Sequence, residues 1–132
     1  MIYTSYFGNA RSILDACPDA CLISIAGKTP EQFNYYKFKP LMPLYSWWKE
    51  WHEKFAGDLE SNESKKWYIK QYKETVLSKL DPLTTARQIK DIAQWHPVFI
   101  LCYETPEKFC HRHIVAEWLN DVRIDCEEWK TN

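Results

Sequence analysis

Leu101-Cys102-Tyr103-Glu104-Thr105-Pro106-Glu107-Lys108-Phe109-Cys110-His111-Arg112-His113 brings two thiols, carboxylates, two imidazoles and a guanidinium into one short stretch. Three chemistries suit that set. In the first, Cys102 or Cys110 is a nucleophilic thiolate, favoured by His111, Arg112 and a helix N-terminus, with Glu104 orienting the imidazole or acting as general acid or base. In the second, Cys102, Cys110, His111 and Glu104 gather around a metal such as zinc. In the third, the cysteines are small buried side chains, and Glu104 pairs with Arg112 to pin a loop. Spacing weighs against the metal, since there is no Cys-x2-Cys pair and adjacent Cys-His is not the usual ligand interval. No metal ligand is assigned at this point, and any cofactor stays open. A tight phosphate-cradling loop between Cys102 and Arg112 is not supported either, because a helix start is expected between them.

The elements around this stretch decide where it sits. Pro97-Val98-Phe99-Ile100-Leu101-Cys102 and Cys21-Leu22-Ile23-Ser24-Ile25-Ala26 are near-continuous apolar runs, as expected of strands covered on both faces. Residues 2–6 read as a first strand followed by the turn signal Gly8-Asn9, and Arg123 to Glu128 reads as a last strand, at an edge. Helical spacing groups Leu44, Trp48, Trp51 and Phe55, then Ile69, Tyr72, Val76 and Leu80, with Asp81-Pro82 as a stop. Thr85-Ala86-Arg87-Gln88 matches a capping box for a helix reaching about Trp95. A further helix is expected from Lys108 to Asn120, with Thr105 as its N-cap, Pro106 in its first turn, and a stripe of Ile114, Val115, Trp118 and Leu119. The Thr29-Pro30-Glu31 repeat of the same pattern suggests a second helix start. Asp58 to Glu63 is the expected mobile loop.

This order predicts a single α/β domain over residues 1–132: a small three-layer sandwich with a mainly parallel sheet of about four strands. A long helical insertion, approximately 43–95, falls between the second and third strands, over one face or as a lid. In such sheets ligands bind beyond the carboxyl ends of the strands, which is where Cys102 and Glu104 fall. Cys110 and His111 then face the sheet, Arg112 turns toward its flank, and His113 aligns with Glu117 on the exposed side. Tyr6 and Asn9 follow the first strand at the same edge, and Lys28 follows the second, as candidate ligand-binding residues. Cys17 and Cys21 lie at the opposite end and are read as packing.

Composition limits the remaining options. The 132 residues suffice for a core without disulfide staples, and the net charge of -1 does not support a broad nucleic-acid surface, although a local patch would still bind. Five cysteines, no basic start followed by an apolar run, and no segment long enough to span a bilayer point to a reduced cytoplasmic protein with free thiols. The other feature above background is Tyr45-Ser46-Trp47-Trp48-Lys49-Glu50-Trp51-His52. There Trp48 and Trp51 suit a buried face, while Trp47 and His52 point elsewhere, toward bases or a partner.

The Cys102-Tyr103-Glu104 segment, a Pro-containing turn and Cys110-His111-Arg112 together resemble the signature of the family catalogued as domain of unknown function 488. Ile2-Tyr3-Thr4-Ser5-Tyr6-Phe7-Gly8-Asn9, Leu80-Asp81-Pro82 and Glu127-Glu128-Trp129 are similar to its shorter branch. The resemblance spans essentially the whole chain. It implies a compact α/β fold with these polar residues clustered at one end of the sheet, and it implies no activity. Longer members carry an arginine-rich segment after an early strand, where this chain has only Lys28. The expectation is an enzyme acting on a small anionic or nucleotide-like substrate through Cys102, Glu104, Cys110, His111 and Arg112. Here Arg112 and the helix N-terminus would hold the anion. The alternative is a non-catalytic module binding a nucleotide, nucleic acid or protein through the Trp-rich helix.

Overall fold

The computed structural model describes residues 1–130. Five strands form one parallel sheet: β1 (Ile2–Tyr6), β2 (Cys21–Ser24), β3 (Tyr36–Lys37), β4 (Val98–Cys102) and β5 (Cys126–Glu128), in the order β3-β2-β4-β1-β5. The central strand β4 is buried at every position, which is why its sequence is an unbroken apolar run rather than an alternating one. The fifth strand not anticipated from sequence is β3. It is two exposed residues long, too short to carry a period-2 signal, and shortness of this kind is usual at an unprotected edge. The other edge, β5, exposes Glu127, a charge that discourages further pairing.

Five α-helices complete the layers: α1 (Ala10–Ala16), α2 (Tyr45–Lys54), α3 (Asn62–Thr75), α4 (Pro82–Ile92) and α5 (His111–Asn120). Right-handed crossovers place the β1-to-β2 connection on one face and the β4-to-β5 connection on the other. Alternation along the strands agrees: Thr4 and Cys102 reach Arg112 or its partner Glu128 on the α5 face, whereas Leu22 lines a surface with Leu14 of α1. The insertion covers a face, since α3 and α4 both pack on α5.

Local chemistry explains where several helices begin and end. Asp81 accepts from the Thr84 backbone N–H at 2.8 Å and Pro82 opens α4, so Asp81-Pro82 stops one helix and starts the next, and Thr85 is an interior buried residue instead of a cap. The helix ends at Ile92, short of Trp95, because Gln94 and Trp95 take left-handed φ values of 52° and 66°, with the Trp95 N–H closing on Lys90 O at 3.0 Å. Neither Thr-Pro-Glu segment opens a helix. Residues 29–35 are irregular, and 105–108 form a turn closed by Lys108 N–H to Thr105 O at 3.0 Å. The last helix therefore starts at His111, with Cys110 as its N-cap.

An aromatic layer over the α5 face is built by the insertion. The buried residues of α2 are Trp47 and Trp51, with Leu44 and Trp48 exposed, so the stripe is rotated by one residue from the spacing-based expectation. The indole N–H of Trp47 donates to Thr75 Oγ1 at 2.9 Å and that of Trp51 to Ser64 Oγ at 2.8 Å. These hydroxyls on α3 make the rotation favourable, because they satisfy indoles that would otherwise be buried unpaired. Tyr72 of α3 is fully buried and donates from its hydroxyl to Leu41 O at 2.5 Å. No helix among the described residues is long and apolar enough to cross a membrane. Replacing Tyr72 with Phe leaves the buried Leu41 carbonyl unpaired and is expected to cost about 1–3 kcal/mol in urea unfolding; no change in midpoint would show that the carbonyl finds another donor.

Candidate active site at the carboxyl edge

The chain leaves β1 toward α1 on one face and leaves the adjacent β4 toward α5 on the other, so the carboxyl ends of these neighbours form a topological switch point. Tyr6 and Cys102 are the last register pair there. At this point stand the β4 end, the segment 103–110 and the first turn of α5.

Arg112 organises the cluster. It is fully buried, with 0% exposure, and lies in the first turn of α5 rather than on a solvent flank. Its Nε donates to Glu128 Oε1 at 3.0 Å and its Nη2 to Glu128 Oε2 at 2.9 Å, a two-point ion pair. Its Nη1 donates to the Glu104 backbone carbonyl at 2.6 Å and to Cys102 Sγ at 3.1 Å. Thr4 adds a hydroxyl donor to Glu128 Oε1 at 2.7 Å. The expected Glu104–Arg112 carboxylate pair is thus replaced: the backbone of Glu104 is pinned, its side chain is exposed, and the charge partner is Glu128 from β5. The sequence gives Glu128 no role at the site, because only the β1–β5 pairing, Thr4 beside Glu128, brings it into reach.

His111 is the second anchor. Its Nε2 lies 2.7 Å from the Ile25 carbonyl; a carbonyl only accepts, so Nε2 carries the proton and the Nδ1 lone pair faces Cys110 Sγ at 3.9 Å. Burial pushes its pKa down to about 4, the Ile25 bond opposing and the nearby Arg112 and His113 charges adding to the shift. The ring is neutral at pH 7. His113 is half-buried, its pKa lowered by burial and then by Arg112, and its Nε2 has no hydrogen-bond partner among the described residues. It makes no pair with Glu117; Arg112–Glu128 is the ion pair found among the described residues.

The sulfur atoms of Cys102 and Cys110 are in bonding contact as a disulfide. The expectation of free thiols therefore holds for Cys17, Cys21 and Cys126 but not for this pair, which the β4 end and the α5 N-cap bring face to face. Cys17 and Cys21 are half-buried, and Cys21 opposes Val98 at the amino end of the sheet. Cys126 is buried, its thiol pushed up to about 12 by burial and by Glu128 and Glu127. With the disulfide reduced, Cys102, Cys110 and His111 are, among the described residues, a group that could hold a metal, their ligand atoms all within 4.8 Å of one another.

The remaining expected residues divide. Asn9 donates to Ser5 Oγ at 3.1 Å, and Lys28 is exposed. Tyr6 packs on Gly8, where an added Cβ would stand 3.0 Å from the ring, so the ring would have to yield by a few tenths of an ångström. Sequence reasoning missed a row of rings at the same edge: Tyr103 meets Phe7 at 4.8 Å, and Phe7 meets Tyr35 at 5.1 Å. It also missed Glu60, whose carboxylate accepts the Phe109 N–H at 2.9 Å and ties the loop between α2 and α3 to the segment before Cys110; the expected loop at 58–63 ends where α3 begins, at Asn62. Trp47, the residue expected to lead a binding module, is buried. Concavities of about 470 and 280 Å³ lie elsewhere, beside Phe33 and beside Trp118.

A parallel α/β sheet whose switch point carries a disulfide-linked cysteine pair, a buried guanidinium and a neutral imidazole defines the class of protein. The chain belongs to the domain of unknown function 488 family: the profile described as "Active DUF488-N3 subclade" matches residues 28–123. No curated protein and no solved structure gives a significant match.

Two outcomes follow from this geometry. Glu128→Ala strands a buried guanidinium and should cost about 3–5 kcal/mol in urea unfolding, whereas the paired change Arg112→Met with Glu128→Leu should recover most of that loss; equal losses would mean the charge is not the cause. For His111, the folded pKa lies below the unfolded value, so its contribution is complete above about pH 6.5 and is lost as pH falls toward 4. The expected loss is about 3 kcal/mol. Unfolding measured in chelator from pH 7 to 4 should show this slope in the native chain and lack it in His111→Gln.

Proposed function

We propose that the chain is an enzyme acting on a small anionic or nucleotide-like substrate at this carboxyl edge, with the reduced Cys102 as nucleophile. The observation that carries the reading is the 3.1 Å bond from Arg112 Nη1 to Cys102 Sγ. A cation donating to sulfur favours the thiolate, the reactive form. Arg112 is otherwise committed to Glu128 and Glu104 O, so it charges the sulfur instead of holding the anion. The anion falls to the first turn of α5, whose N-cap Cys110 makes no side-chain capping bond, and to the exposed Lys28. Tyr103, half-exposed beside Phe7, offers a flat surface to a nucleotide-like ring.

Glu104, exposed two residues beyond Cys102, serves as acid and base. The sulfur lone pair forms the bond to the substrate while the leaving group departs with the electrons of the broken bond and a proton from Glu104. Water, deprotonated by the same carboxylate, then releases the product and restores the thiolate and the protonated Glu104. The family description carries the word "active", in keeping with this assignment, and a cytoplasmic location would keep the pair reduced.

Alkylation of the reduced, chelated protein at pH 7, read by peptide mass, tests the proposal. Cys102 and Cys126 are both buried, so Cys102, the one that accepts from Arg112, should react faster than Cys126, and Arg112→Lys should slow it by about tenfold, with Cys17 serving as an internal reference for intact folding. Inert Cys102 in the native chain, or an unchanged rate in Arg112→Lys, would sink the nucleophile.

A further inference from the structure

We infer that the reduced site is also a binding site for one divalent ion of the zinc class, held by Cys102 Sγ, Cys110 Sγ and His111 Nδ1. The three donors come from two elements and converge within 4.8 Å. Two thiolates on one tetrahedral ion sit roughly 3.8 Å apart, and a thiolate and an imidazole nitrogen about 3.6 Å apart. The 3.9 Å from Cys110 Sγ to His111 Nδ1 already approximates the second value, and the 7.1 Å between the cysteine Cα atoms suits two side chains converging on a shared ion.

The surrounding bonds point the same way. A ligating imidazole usually donates its other N–H to a carbonyl or carboxylate, which fixes the tautomer and the direction of the lone pair. His111 does this through Nε2 to Ile25 O at 2.7 Å, leaving Nδ1 as the free acceptor among the sulfurs. Arg112 Nη1 supplies the corresponding outer bond to the Cys102 sulfur, with its charge already balanced by Glu128. Two thiolates then neutralise a doubly charged ion in a site that is otherwise neutral. Three protein ligands leave a fourth position for water or substrate, the arrangement of reactive rather than purely structural zinc.

The ion and the disulfide exclude each other. A phosphine reductant supplies two electrons and leaves as its oxide with the oxygen of one water, converting the pair to two thiols; each thiol loses its proton on bonding the ion. The metal-loaded form therefore ligates the sulfur that the reduced, metal-free form leaves as a thiol. This inference stands apart from the catalytic reading, because alkylation is measured in chelator and metal binding without substrate.

Cobalt(II) titration of the full chain under phosphine provides the test. One equivalent should give an intense near-ultraviolet thiolate-to-cobalt band, abolished by zinc. Cys102→Ser or Cys110→Ser should each weaken binding by about a hundredfold or more, while Cys17→Ser with Cys21→Ser should leave it unchanged. X-ray absorption of the zinc form should report two sulfur and at least one imidazole neighbour. No band in the reduced native chain, a band that survives loss of both Cys102 and Cys110, or a shell of four sulfurs would each overturn the site.

Discussion

A buried guanidinium must be answered by a carboxylate, and in this protein that requirement ties the last strand to the last helix. Arg112 has no exposure, and its two-point bond to Glu128 joins the first turn of α5 to β5. The same guanidinium holds the backbone of Glu104 and the sulfur of Cys102. One side chain thereby fixes the end of β4, the start of the following segment, the helix and the sheet edge. Removing water from such a charge is expensive, so the bonds that compensate it must all be present together. This is why the cluster is a rigid unit rather than a set of independent surface groups.

The insertion completes the enclosure. Its aromatic side chains pack toward the site, Tyr68 meeting Phe109 edge-to-face at 5.1 Å and Tyr72 meeting His111 at 5.4 Å. Burial beneath these rings keeps His111 neutral, and neutrality leaves a nitrogen lone pair among the sulfurs. Glu60 holds Phe109 from the loop between α2 and α3. A segment that looks like a loose connection from its composition thus positions the residue just before Cys110. The proposed thiol reactivity and the proposed metal site would rest on one arrangement, since both require sulfur in its anionic form and a directed partner beside it.

Much of this was legible in the sequence. Apolar runs at Cys21–Ser24 and Val98–Cys102 mark buried parallel strands because a strand covered on both faces has no polar side to show. Family membership and the cluster's position at the carboxyl edge follow from motifs and element order. The helix starts proved less legible: Thr105-Pro106 has the composition of a cap, but the segment closes as a turn and the helix begins at His111. The buried face of α2 was set by Ser64 and Thr75 on α3, which receive the Trp51 and Trp47 indoles. Spacing within one helix carries no information about hydroxyls on another.

Sequence by itself determined the residue types available for chemistry, the fold class and the end of the sheet at which they gather. Tertiary structure decided their partners. Glu128 reaches Arg112 across sixteen positions only because β5 pairs with β1, and Ile25 reaches His111 across eighty-six only because the end of β2 lies near the start of α5. Local spacing weighed against a metal because no Cys-x2-Cys pair is present and adjacent Cys-His is an unusual interval; only the fold brings Cys102, at the end of a strand, within 4.8 Å of the ligand atoms of Cys110 and His111. Helix and strand periods are local properties of a chain, whereas the satisfaction of a buried charge, a proton's position on an imidazole and the convergence of ligands depend on contacts between distant segments.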